Sequence, residues 1–228
     1  MKINYISSVI ILTFCIPLLS PRLYGQEDEM KKVALSSLKE WKKTFSDDQV
    51  RKLGFDNKAD FETSELGTPF KLYTISPDAM MGYQEGNDFE KIVTETNYYV
   101  YPVISGGVNK ALLWMFKEEN KWQVARIGSS KLAKSIRSTE GTIKDQITER
   151  GLEGAGPPKF VRVYPLYLDF FFIKAAEKEY IIPMYTIPTL GIEGSKFYTP
   201  AQAVPQWKEQ LKKKILPEEE GKRKEIEG

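Results

Sequence analysis

The period of the apolar positions changes several times along the chain, and each change marks a new element. Met30, Ala34, Leu38, Trp41 and Phe45 recur at spacings of three and four, which predicts an amphipathic helix over residues 27–46. Glu27, Asp28 and Glu29 open that stretch and Lys39, Lys42 and Lys43 lie near its end, the polarity that complements a helix dipole. Ser46-Asp47-Asp48 then predicts the N-cap of a short second helix ending near Gly54. From Pro69 the period drops to two. Phe70 to Ile75 alternates apolar with polar and stops at Ser76-Pro77, a strand followed by a turn. Tyr98–Ile104 is a second strand, and Ala111–Phe116 with Trp122–Ile127 forms a hairpin about Lys117–Lys121. Gly128-Ser129-Ser130 starts a helix whose apolar positions are Leu132, Ala133 and Ile136.

Residues 151–158, Gly-Leu-Glu-Gly-Ala-Gly-Pro-Pro, are the strongest punctuation in the chain. Phe160–Lys174 and Tyr180–Tyr185 follow as another strand pair. Val100-Tyr101-Pro102 and Val163-Tyr164-Pro165 form a faint echo, so 151–158 is the natural joint if the chain holds two β-units. Thr199-Pro200-Ala201-Gln202 combines an N-cap Thr, Pro at N1 and Gln at N3, and starts a helix with Val204, Trp207, Leu211 and Ile215 on one face. Pro205 should kink its first turns. The expected fold is α+β: an antiparallel sheet of four to six strands with N- and C-terminal helices packed on it. It forms a single domain over residues 26–216, and residues 217–228 are a charged, disordered tail.

Composition narrows the chemistry. The 228 residues include no His and one Cys, which excludes Ser-His-Asp and Cys-His triads, His-bearing zinc sites and intrachain disulfides. That Cys, Cys15, lies in an uncharged run from Ile3 to Pro21 whose apolar centre, Ile6–Leu19, is too short to span a bilayer as a helix. Residues 1–25 are therefore expected to be a signal peptide cleaved after Gly25, placing the protein in the periplasm or outside the cell, with no stable membrane span afterwards. Leu12-Thr13-Phe14-Cys15 loosely matches a lipoprotein signal, but Phe14 is bulkier than such processing accepts. Removing residues 1–25 takes Lys2 and Arg22 from the 33 basic residues and none of the 31 acidic ones, so the remainder is neutral. A neutral, mixed-sign surface gives no footprint for nucleic acid.

Motif-level chemistry is sparse. Ser36-Ser37-Leu38-Lys39 matches S-x-x-K but lies within the first helix and lacks the companion motifs of serine acyl-enzymes. Gly151-x-x-Gly154-x-Gly156 has neither the spacing nor the following helix of a nucleotide loop. Asp56–Asp60 lacks the Gly and distal Glu of a calcium loop. No catalytic residue, cofactor or metal site is expected. Asp169 stands out because it interrupts the apolar run Leu166–Ile173, where an acid needs either a partner or a raised pKa. Strand alternation puts Leu166, Leu168, Phe170 and Phe172 on one face and Tyr167, Phe171 and Ile173 on the other. The strand is either sandwiched between layers or exposes one face to a partner. On the second option Tyr167, Asp169, Phe171 and Ile173 are the candidate binding residues.

Leu66-Gly67-Thr68-Pro69-Phe70-Lys71-Leu72-Tyr73, then Tyr98-Tyr99-Val100-Tyr101-Pro102, a Gly-Gly turn, the hairpin with Trp122 and Ile127-Gly128 before a helix form a pattern across residues 66–136. This resembles exported bacterial domains of cystatin-like or PepSY-like α+β type. The resemblance implies a helix on an antiparallel sheet and a non-catalytic binding or accessory role, often beside secreted hydrolases. The leading expectation is an exported, non-enzymatic module that engages a protein or cell-envelope component through its aromatic strand. The alternatives are a glycan-directed hydrolase working with carboxylates alone, Asp169 its acid, and a carrier of apolar ligands.

Overall fold

The structure, a computed structural model, describes residues 21–226, with side chains described for 28–214. Residues 1–20 of the expected signal segment lie outside the described residues, and Pro21 begins the first helix. The helices are α1 (Pro21–Thr44), α2 (Asp47–Lys52), α3 (Lys58–Glu62), α4 (Pro77–Gly82), α5 (Ser130–Gln146) and α6 (Pro200–Ile226). The strands are β1 (Glu65–Leu66), β2 (Phe70–Thr74), β3 (Thr94–Ser105), β4 (Val108–Glu118), β5 (Lys121–Gly128), β6 (Lys159–Val163), β7 (Leu168–Ala175) and β8 (Lys178–Pro183). Among the described residues no helix is long and apolar enough to cross a membrane.

One sheet of eight strands runs in the order β5-β4-β3-β2-β6-β7-β8, with β1 paired to β3. It is therefore larger than the four to six strands expected. It is also not purely antiparallel, because β2 and β6 pair in parallel through Leu72↔Phe160, Tyr73↔Val161 and Thr74↔Arg162. That parallel pair joins a β3-β4-β5 meander to a β6-β7-β8 meander. A parallel pairing requires a long crossover, here the whole stretch from β3 to α5, and leaves no local mark in the sequence.

Phe160–Lys174 is not one strand. It folds back on itself as β6 and β7, in register from Lys159↔Phe172 to Val163↔Leu168. The reversal is a 3₁₀ turn at Tyr164–Leu166 followed by Tyr167 in the left-handed region, φ 50°. Pro165 suits the turn's fixed φ, but the left-handed position carries neither Gly nor Asn, so the usual turn signal is missing. The two Val-Tyr-Pro triplets are consequently not equivalent. The first lies within β3, whereas the second ends β6.

Three apolar cores follow from strand alternation. On one face, Tyr101, Val103, Ala111, Leu113 and Met115 pack with Met30, Ala34 and Leu38 of α1, Val50 of α2 and Phe61 of α3. On the same face at the other end of the sheet, Val161, Leu168, Phe170 and Phe172 pack with Met80 of α4 and Ala203, Val204, Trp207 and Leu211 of α6. The opposite face buries Leu72, Val100, Leu112, Phe160 and Phe171 under Leu132, Ala133, Ile136 and Ile143 of α5. Leu152 belongs to this third core, so the Gly- and Pro-rich stretch 151–158 is anchored by its own apolar residue.

The caps form where the sequence places them. Ser46 makes a full capping box with Gln49, and the Gln202 side chain accepts a hydrogen bond from the Thr199 N–H at 2.9 Å. Helix α6 continues in its backbone to Ile226, across the stretch from Pro217 expected to be a disordered tail. Glu- and Lys-rich sequence has high helix propensity, so a solvated segment and a helical one carry the same composition.

Candidate functional site

The expected binding strand divides into a buried part and an exposed tip. Phe171 is fully buried and Ile173 is 2% exposed, both in the core beneath α5. Neither presents a surface to a partner. The strand is sandwiched because α4 and α6 cover one face while α5 covers the other. Tyr167 is 80% exposed at the β6–β7 turn, with Lys214 Nζ 4.8 Å above its ring. Tyr164, at the start of the same turn, is also exposed.

Asp169 is buried and directly opposite Arg162 in the β6–β7 ladder. Arg162 Nε and Nη2 donate to its two carboxylate oxygens at 2.6 and 2.8 Å, and the Tyr185 hydroxyl donates to one of them. Burial alone would lower the Arg162 pKa, but these hydrogen bonds and the Asp169 charge hold it raised. Burial, reinforced by the Asp169 charge, pushes the Tyr185 phenol up. Both oxygens of Asp169 are thus engaged inside the protein, by Arg162 and Tyr185. Ser36 and Lys39 of the S-x-x-K match are exposed on α1.

A second feature lies on the face that carries α1 and α6. Those helical covers pack at opposite ends of the sheet, and the start of the parallel pair β2–β6 lines a groove of about 410 Å³. Its walls are Thr68, Pro69 and Phe70 on one side and Pro157, Pro158 and Phe172 on the other. Tyr73 and Tyr99 contribute rings, and Lys71, Lys159, Lys174 and Glu90 contribute charges. The volume falls in the usual range of ligand sites.

Every lysine of the groove is already neutralised. Lys71 pairs with Glu95, and Lys159 with Glu90. Lys174 reaches Asp88 at 2.8 Å, Glu90 at 3.3 Å and Glu179 at 3.8 Å. The hydrogen bond from Lys159 holds Glu90 below the usual carboxylate range, and the bond from Lys174 does the same for Asp88. Burial pushes Glu179 up, although it accepts the backbone N–H groups of Phe89 and Glu90 at 3.0 and 3.1 Å. Lys71 Nζ sits 5.6 Å from the Tyr99 ring and Lys159 Nζ 5.3 Å from the Tyr73 ring. The groove therefore offers rings and proline faces framed by balanced charge, not an anion trap. Among the described residues no group of three or more Cys, Asp or Glu side chains is placed to hold a metal ion.

No family model, curated protein or solved structure matches the chain.

The groove and the buried ion pair escaped the sequence for different reasons. The groove depends on the parallel pairing of segments almost ninety residues apart. The ion pair depends on the reversal at Tyr164–Tyr167. Once that hairpin is recognised, Arg162 and Asp169 are equidistant from the turn and their opposition follows.

Proposed function

We propose that the protein is an exported, non-enzymatic binding module, and that the groove at the start of the β2–β6 pair holds an extended segment of a protein or envelope partner. The observation that carries this reading is the groove itself: about 410 Å³, walled by Pro69, Pro157, Pro158, Tyr73, Tyr99 and Phe172. Proline and aromatic faces suit an extended chain, which loses little further entropy on docking against rigid rings. The paired lysines favour a ligand without a strong charge of its own. The surface differs from the strand read in the sequence, because Phe171 and Ile173 are core residues. The resemblance of residues 66–136 to exported non-catalytic domains points the same way.

Selection from a displayed random-peptide library, followed by calorimetry on the recovered peptides, tests the proposal. Binding should weaken roughly tenfold or more in Tyr73→Ala and in Thr68→Trp, which blocks the groove. Peptides insensitive to both substitutions would overturn it. The same groove exceeds the ~300 Å³ that a small apolar ligand needs. A fluorescent fatty acid that binds the wild type and is lost in Thr68→Trp, with no peptide recovered, would favour the carrier reading instead.

A further inference from the structure

Across the sheet from the groove, two arginines converge on one tryptophan. Trp114 of β4 is directly opposite Arg126 of β5 in the ladder. Arg162 reaches the same indole from β6, and each guanidinium carbon lies 4.7 Å from the ring centroid. The two cations are therefore no farther apart than the sum of those distances, and the indole they share is 3% exposed. Strand alternation places this cluster on the face opposite the groove, since Tyr99 lines the groove and Tyr98 belongs to the core beneath α5.

The charges here do not balance. Asp169 engages Nε and Nη2 of Arg162 and not Nη1, and the Tyr185 hydroxyl is the other polar group beside this guanidinium. Arg126 is exposed, and its side chain makes no ion pair or hydrogen bond among the described residues; its guanidinium lies against the Trp114 ring. The two guanidinium groups thus face one carboxylate, whereas each lysine of the groove has an acid of its own.

Two phenols complete the corner. Tyr98 stacks on Phe116 at 5.8 Å, and Tyr164 lies 6.0 Å from the Arg162 guanidinium, its ring half exposed. Neither hydroxyl has a hydrogen-bond partner among the described residues. The Tyr164 phenol is pushed up by burial and pulled back by Arg162 and Arg126, so both cations are within electrostatic reach of it. Trp114 Nε1 is a further buried donor without a partner.

We propose that this corner binds a small oxyanion, a carboxylate or phosphate group, through Arg126 and the Nη1 edge of Arg162, with Tyr164 supplying a hydroxyl and a ring face to the body of the ligand. The guanidinium fork matches planar oxyanions in two-point contact, and stacking on Trp114 pre-orients both forks so that little rotamer freedom remains to be lost. The site is independent of the groove and stands or falls separately.

Calorimetry and tryptophan fluorescence on the full chain, titrated with inorganic phosphate and with glucuronate, distinguish the two oxyanion sources. Glucose serves as the uncharged ring control. The expected result is saturable binding of at least one oxyanion and none of glucose. Arg126→Gln should weaken that binding roughly tenfold while the protein still unfolds cooperatively, its urea midpoint lowered only slightly by the lost Trp114 contact. Arg126→Lys keeps the charge but not the fork and should fall between the two. Tyr164→Phe should weaken glucuronate more than phosphate if the ligand body lies on that residue. Oxyanion binding of equal strength in wild type and Arg126→Gln, or no saturable binding of either oxyanion, would overturn the proposal.

Discussion

Arg162 and Asp169 face each other across the β6–β7 ladder, and both carboxylate oxygens of Asp169 accept from the one guanidinium, at 2.6 and 2.8 Å. The contact fixes the hairpin register, because a slip of one residue would turn Asp169 toward the core packed under α6 and leave Arg162 without its acid. Tyr185, donating to the same carboxylate from beyond β8, ties in the chain that leads toward α6.

Removing Asp169 leaves the half-buried Arg162 guanidinium without its acid. Asp169→Ala is expected to destabilise the protein by about 3–5 kcal/mol. The double substitution Arg162→Met with Asp169→Leu should recover most of that loss, since a packed apolar pair avoids the desolvation cost. Urea unfolding curves for the two variants check this. A midpoint for Asp169→Ala equal to the wild type would show that the pair contributes nothing.

The strand residues divide by the same criterion. Phe171 is fully buried and packs against Phe70 and Phe160 at 5.5 and 6.0 Å between ring centroids, so Phe171→Ala should cost about 3–5 kcal/mol. Tyr167→Gly should change stability by no more than about 1 kcal/mol, because relief of the left-handed backbone offsets the exposed contact with Lys214. Thermal unfolding of both variants decides the matter. A large loss in Tyr167→Gly would mean that the turn tyrosine is part of the core.

Local elements were legible because local rules govern them. The stripe Met30-Ala34-Leu38, the Ser46 capping box and the hairpin between β4 and β5 need only residues near in sequence. The alternation across Leu166–Ile173 also tells which residues share a face: Leu168, Phe170 and Phe172 enter one core and Phe171 and Ile173 another. Whether a face is covered is a different question, settled by α5 and α6 from elsewhere in the chain. The groove needs Pro69 and Pro158 side by side, a neighbourhood that only the parallel β2–β6 pairing creates.

Gly54 is where close approach and backbone shape coincide. Its φ is +99°, and an added Cβ would lie 2.6 Å from Ser130 Cβ and 2.9 Å from the Lys110 carbonyl oxygen. Gly54→Ala should therefore destabilise by more than about 1 kcal/mol. Gly141, in the exposed interior of α5 with nothing within 4 Å of such a Cβ, should respond oppositely. Gly141→Ala is expected to stabilise by about 0.5–1 kcal/mol. Chemical denaturation of the two variants side by side is the check, and equal shifts in one direction would contradict it.

Acid should weaken the fold through the carboxylates that frame the groove. Lys159 holds Glu90 below the usual carboxylate range, and Lys174 holds Asp88 there. Below the unfolded values of about 4.3 and 3.9 the unfolded chain binds protons that the folded state resists. The stabilisation these acids provide is present above those values and is lost as pH falls through the folded ones. Glu179, pushed up by burial, acts in the opposite sense: it favours the folded state as pH falls toward its unfolded value. Because Lys159 and Glu90 are partly exposed, their pair contributes no more than about 1 kcal/mol at neutral pH. Glu90→Gln should therefore be slightly less stable than the wild type at pH 7 and indistinguishable from it near pH 3. Urea unfolding across that range measures the gap, and a gap that stays constant with pH would show that Glu90 titrates as it does in the unfolded chain.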